Sequence, residues 1–104
     1  MKRYDVAELI AETPKVHGVF EPPIESTREV FCEVRSVSRS EVYQGMAVGV
    51  TPTVIFVLSI DEDYQNEKEL IYHGERYRVI RTYIADDGIE LTCEVTHGEN
   101  QSGS

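Results

Sequence analysis

The residues best able to do chemistry in this chain are few and scattered. They are His17, His73 and His97, the cysteines Cys32 and Cys93, and two acidic groups, Asp61-Glu62-Asp63 and Asp86-Asp87-Gly88. A metal centre needs ligands at short fixed spacings, such as HxxxH on a helix or a CxxC pair. No histidine has such a partner, and the surrounding patterns place His17 in a loop, His73 in a turn and His97 in a polar tail. The cysteines lie far apart with no CxxC, so they read as buried thiols that behave like small apolar side chains. Asp86-Asp87-Gly88 lacks the alternating acids and closing Glu of an EF-hand and reads as a turn. Asp61, Glu62 and Asp63 read as an exposed acidic loop and a candidate interface rim. Ser38 and Ser40 have no GxSxG elbow, and Gly45 and Gly49 do not follow a strand as a phosphate cradle would. The expectation is a protein with no catalytic residues, no metal and no cofactor.

One stretch interleaves cations with aromatics: Arg76, Arg78 and Arg81 with Tyr77 and Tyr83. Such a pattern can stack single-stranded nucleic acid on a barrel face. The charge balance argues otherwise. There are 10 Lys and Arg against 19 Asp and Glu, a net −9, and phosphate binding needs the opposite surplus. Residues 1–50 carry 8 acids against 6 bases and residues 51–104 carry 11 against 4, so the acid concentrates in the second half. Cross-strand ion pairs with Glu90 and Glu94 are the expected role of these arginines.

The elements that must position these residues follow from pattern. Val6 to Ala11 reads as a first strand at a sheet edge. Residues 13–28 hold Pro14, Gly18, Pro22 and Pro23 and read as a long loop or hairpin tip. From Glu29 to Val37, Val30, Cys32 and Val34 alternate with Glu33 and Arg35, the signature of a half-buried strand. Phe31 falls on the polar parity and is expected to pack under the long loop. Ser38-Arg39-Ser40-Glu41 fits a capping box. Val42 and Met46 then recur at helical spacing, with Tyr43 and Ala47 beside them. Gly49 offers a C-terminal cap, Pro52 forbids continuation, and Gly45 weakens the helix by roughly 1 kcal/mol relative to Ala. Thr53 to Ile60 is apolar on both parities and reads as the most deeply buried strand. Glu69–Tyr72 and Glu75–Ile84 read as a hairpin turning on His73-Gly74. Ile89, Leu91, Cys93 and Val95 alternate with Glu90, Thr92, Glu94 and Thr96 as the final strand. About six short strands with one helix between the second and third predict an all-β fold, a small closed or nearly closed β-barrel. One domain over residues 1–97 and a flexible tail over 98–104 are expected.

Four stretches, in this order and spacing, carry a resemblance to a known family. They are the run from Arg28 to Glu41, Tyr43 followed by Gly49-Val50-Thr51-Pro52, the run from Leu70 to Tyr83, and Asp87-Gly88-Ile89-Glu90-Leu91. From about residue 28 to residue 95 the chain resembles the head closure proteins of tailed bacteriophages, also called head–tail joining, adaptor or stopper proteins. The proline-rich segment before residue 28 departs from that pattern. The resemblance implies a β-barrel without catalysis or cofactor that assembles as a homo-oligomeric ring beneath the portal and its adaptor. There it retains packaged DNA, without specific binding, and offers tail proteins a platform. It also implies that the segment between the second and third strands turns toward a central channel or a neighbouring subunit. Here that segment runs from Ser36 to Pro52 and includes Ser38, Arg39, Glu41, Tyr43, Gly45, Met46 and Gly49.

The implied location is the head–tail junction of the virion, assembled in the host bacterial cytoplasm. No apolar run approaches the roughly 20 residues that span a bilayer, and Asp5, Glu8 and Glu12 interrupt any signal-peptide core. The competing class is a small acidic DNA-mimic or inhibitor protein, which needs a regular surface ladder of carboxylates. Here the acids are interspersed with Arg.

Overall fold

The computed structural model describes residues 4–13 and 24–96. Six strands and one helix follow in chain order: β1 (Tyr4–Thr13), β2 (Ile24–Ser36), α1 (Arg39–Ala47), β3 (Val54–Ser59), β4 (Glu69–Tyr72), β5 (Glu75–Ala85) and β6 (Gly88–Val95), with a short 3-10 turn at Ile60–Glu62. The strands close into an all-antiparallel barrel in the order β1-β2-β3-β6-β5-β4. Closure gives every strand a neighbour on both sides, which shortens the open edges available for edge-to-edge association; the Ile24–Phe31 part of β2 pairs with β1 alone.

Period-two alternation builds the interior. Ala7 and Leu9 from β1, Val30 and Cys32 from β2, Phe56 and Leu58 from β3, Leu70 from β4, and Leu91 and Cys93 from β6 form one buried cluster. Phe56 sits among aromatic neighbours, its ring edge-on to Tyr72 at 5.1 Å and to Tyr77 at 5.5 Å between centroids. Such pairs contribute about 0.5–1.5 kcal/mol beyond their burial.

Several expectations are corrected. The first strand is not an edge, since β1 pairs with β2 along its length and with β4 at Glu8–Ile10. Of the loop or hairpin tip expected over 13–28, the bounds are corrected: Thr13 and Ile24–Arg28 belong to the antiparallel β1–β2 ribbon, paired from Thr13 with Ile24 to Leu9 with Arg28. Ile24 to Thr27 are exposed, so no apolar alternation announces a strand that is held by backbone pairing and by the ion pair of Glu25 with Arg76. Residues 14–23, with His17 and the prolines of the expected loop, lie outside the described residues, as do His97 and the expected tail at 98–104. Phe31 is 64% exposed on the outer face, opposite Val6. The third strand ends at Ser59, and Ile60 is exposed in the 3-10 turn.

The turns obey local stereochemistry. His73 and Gly74 both take positive φ, 51° and 78°, the conformation a two-residue hairpin turn requires. Asp86 and Asp87 join β5 to β6. Gly88 opens β6 because an added Cβ would lie 2.2 Å from the Leu58 carbonyl oxygen. On β6 the expected alternation holds inside the barrel but not outside it. Thr92 and Glu94 are buried too. Thr92 lines the interface with α1, and Glu94 is held by the segment that returns from α1 to β3.

Candidate functional site

The segment between β2 and β3 is an ordered helix clasped at both ends. At its start the Ser38 hydroxyl accepts from the Glu41 amide at 3.1 Å, and the Ser38 amide donates to Glu41 Oε1 at 3.4 Å, completing the expected capping box. At its end the Val50 amide donates to the Gly45 carbonyl and the Gly49 amide to the Met46 carbonyl, at 2.9 and 3.2 Å. With Gly49 at φ 90° this is the Schellman arrangement. Gly49 therefore sits one residue past the cap, which is Val48.

The helix docks against the barrel by unexpected residues. Its one buried residue is Gly45. A Cβ there would stand 2.5 Å from Pro52 Cδ and 3.2 Å from Val50 Cγ2, so the absent side chain is what permits contact with the returning chain. The expected apolar face is thus corrected: Met46 is 59% exposed, and Tyr43 is exposed as well. Glu41 pairs with Arg81 of β5 and ties the helix start to the barrel. A small cavity of about 160 Å³ remains between Gln44, Val48, Ile80 and Thr92. Ser36, Ser38 and Arg39 are exposed at the entry, and Pro52 is buried at the exit. There the Thr51 amide donates to Glu94 Oε1 at 2.9 Å. Ser36 to Pro52 is consequently one unit, with Arg39, Tyr43 and Met46 pointing away from the barrel.

The acidic group lies toward the opposite end. Ser59 caps the 3-10 turn through its hydroxyl, which accepts from the Asp61 amide at 3.2 Å, and Asp63 closes it in the left-handed region at φ 56°. Arg28 donates to the carbonyls of Glu62 and Asp63 at 2.8 and 2.6 Å and to the buried carboxylate of Glu67 at 3.2 Å. The backbone of the expected loop is therefore pinned while its carboxylates stay available: Asp61 and Asp63 are exposed and Glu62 half-buried. The Ile60 amide donates to the Asp87 carbonyl at 3.0 Å, which brings the Asp86-Asp87 turn alongside. Sequence spacing separates these two acidic groups, and the β3–β6 pairing joins them into one rim.

Between rim and helix the outer wall is laced by ion pairs. Arg76 bridges Glu69 and Glu25, at 2.5 and 2.7 Å, which raises the guanidinium pKa and lowers that of Glu25. Arg78 pairs with Glu94, as expected, but Glu90 does not meet the β5 arginines: it pairs with Arg35 of β2 at 3.3 Å. The bulge between Val79 and Arg81 places Arg81 opposite Thr92 and turns it toward Glu41. At the β4–β5 turn, Asp5 accepts from the Tyr72 hydroxyl at 2.7 Å and stands 3.1 Å from His73 Nε2. The Tyr72 bond, then the Val6 amide, hold the Asp5 carboxyl below its ordinary range.

Both cysteines are buried in the barrel, and burial pushes their thiols up to about 11 for Cys32 and about 12 for Cys93. Burial disfavours the thiolate of both, and both pack as small apolar side chains. Among the described residues no three His, Cys, Asp or Glu gather as a metal set, and no helix is long and apolar enough to cross a membrane. A scan against protein-family models finds no match for the chain, and a search of curated proteins finds none.

Proposed function

We propose that this chain is a non-enzymatic structural protein of a tailed phage or prophage. In this reading it is a ring-forming head–tail connector component that closes the DNA-filled head and provides the tail attachment surface. The observation that carries the reading is the architecture of the Ser36–Pro52 unit on a closed barrel. A rigid barrel presents, between its second and third strands, a capped helix whose Tyr43 and Met46 face outward. Aromatic, Met and Arg side chains are the usual anchors of protein interfaces. The order and spacing of the resembling stretches support the same role.

Charge is consistent with that placement. The rim of Asp61, Glu62, Asp63 and Asp87 repels a passing duplex, so packaged DNA slides by without being held. The proposed partners are the portal or adaptor ring, tail proteins and further copies of this chain, in a virion assembled in the bacterial cytoplasm. No catalytic step, cofactor or metal enters the reading.

The acidic DNA-mimic or inhibitor reading is less favoured. Glu25, Glu33, Glu41, Glu67, Glu69, Glu90 and Glu94 are engaged by arginines of the same chain. They cannot also form a free ladder of phosphate-like charge. The test is complementation. Heads assembled without this protein are mixed with the purified chain, and DNA retention and tail attachment are measured. Retention and tailing only in its presence support the reading. Identical heads with and without it overturn the joining role and bring the inhibitor reading forward.

A further inference from the structure

Two outer surfaces of the barrel are each incomplete, and they complement one another. The first is the solvent face of α1. Arg39, Tyr43 and Met46 stand at i, i+4 and i+7, one exposed stripe turned away from the docked Gly45. Arg39 is the one arginine among the described residues without an ion pair; Arg28, Arg35, Arg76, Arg78 and Arg81 all have one. The stripe is therefore a free cation followed by an exposed aromatic and an exposed, adaptable thioether.

The second surface is the outer face of the β1–β2 ribbon. Val6 stands opposite Phe31, an apolar pair open to solvent, and two residues along Glu8 stands opposite Glu29. Like charges directly opposed on neighbouring strands are destabilising. Neither carboxylate has an ion-pair partner among the described residues. The pair is an anionic socket beside an apolar one.

We infer that the Arg39–Tyr43–Met46 stripe of one copy docks on the Glu8–Glu29 and Val6–Phe31 pairs of the next. The spacing fits. Arg39 and Tyr43 are separated by about 6 Å along a helix axis, and the two cross-strand pairs by about 7 Å along a strand. Arg39 then sits between the opposed carboxylates while Tyr43 and Met46 cover Phe31 and Val6. Topology sets the geometry of the assembly. α1 lies over β5 and β6, and in the closed order these two strands are diametrically across from β2 and β1. One copy therefore gives the stripe on one side and the socket on the other. Such a contact is head to tail, not two-fold, and it propagates into a ring or a filament. The inference deepens the ring-forming reading above, on which it rests for where such a ring would sit.

Cross-linking of the full-length chain tests it. Cys32 and Cys93 are buried, so wild-type protein is the unreactive control. Met46→Cys and Phe31→Cys are made separately, one chain carrying a mass tag, and treated with a short bis-maleimide singly and mixed. Both positions are exposed, and circular dichroism checks that each variant keeps its fold. The expected result is a cross-linked dimer of one tagged and one untagged chain in the mixture, with little product from either variant alone. Adding Arg39→Glu to the Met46→Cys chain lowers the yield by about tenfold or more, and Glu29→Arg in the Phe31→Cys chain restores it. Self-linking of either variant at the mixture's yield, no mixed product at millimolar chain, or indifference to the charge reversal overturns the inference. Complementation separates this from the role. Heads rescued by a chain that fails the cross-link leave head closure standing and this contact wrong. A specific cross-link with heads unrescued leaves the contact standing and head closure wrong.

Discussion

Inside the barrel Phe56, Leu58, Leu70 and Leu91 are fully buried, whereas on α1 the apolar Tyr43 and Met46 face solvent and the buried position is a glycine. The two regions are held in different ways. The barrel is stabilised by area removed from water and by an unbroken circle of strand pairing. The helix is held by a capping box, a Schellman end, the Gly45–Pro52 contact and the Glu41–Arg81 pair. Buried apolar area is concentrated in the first region, and exposed apolar side chains stand on the second. An element that leaves its apolar residues in solvent gains little from folding onto its own barrel, and the docking inferred above would give those residues a surface to cover.

The largest effect is expected where the barrel is most closed. Phe56→Ala removes a ring that fills the centre and contacts Tyr72 and Tyr77, and it is expected to cost about 3–5 kcal/mol in urea unfolding. A loss of under 1 kcal/mol would mean the centre can collapse and that the contrast with α1 is overstated. Gly45→Ala comes next and tests the docking of α1 by its sign. On an isolated helix the change stabilises, by up to about 1 kcal/mol. Against Pro52 the new Cβ must displace the returning chain, and a net loss of about 1–3 kcal/mol is expected. Stabilisation would show that α1 does not pack as described.

Ser38→Ala removes one half of the capping box and should cost about 1 kcal/mol, read as lost helicity and a small fall in unfolding midpoint. The smallest effect is one of pH. The Asp5 carboxyl is held below its ordinary 3.8, so the unfolded chain takes up its proton first as pH falls. Its contribution is fully present above about pH 4 and is lost as pH drops through the lowered folded value. Asp5→Asn should therefore lie below wild type in stability at neutral pH, with the gap closing in acid. A gap that persists unchanged to pH 2 would remove the Asp5–Tyr72 bond from the account.

Legibility followed the range of the interaction. Ser38 to Glu41, the end of the helix at Gly49 and the His73-Gly74 turn depend on residues within a few positions, and the structure has them as the sequence reads. The inward sets Val30-Cys32 and Leu91-Cys93 also read correctly, because alternation registers on a half-buried strand. The misread residues share a different feature. Ile24 to Arg28 are strand without an apolar pattern, Glu94 and Thr92 are buried on a polar parity, and Met46 is exposed on an apolar one. In each case a distant segment decides: β1 pairs the ribbon, the chain returning from α1 covers Glu94, and Pro52 selects Gly45 over Met46. Of the candidate site residues, the structure joins Ser36 to Pro52 in one unit. It adds Asp87 to the rim of Asp61, Glu62 and Asp63, a neighbour that sequence distance had hidden.

The sequence by itself determined the kinds of element and their order along the chain, because pleat, helix cap and tight turn are written in local residue types. It also determined the acidic surplus that disfavours a nucleic-acid reader. Only the tertiary structure decided which arginine meets which glutamate, which residues of α1 face solvent, and that Glu8 and Glu29 oppose each other with no ion-pair partner among the described residues. Register and closure set those pairings, and both depend on backbone contacts between residues far apart in the chain, for which composition and spacing hold no record.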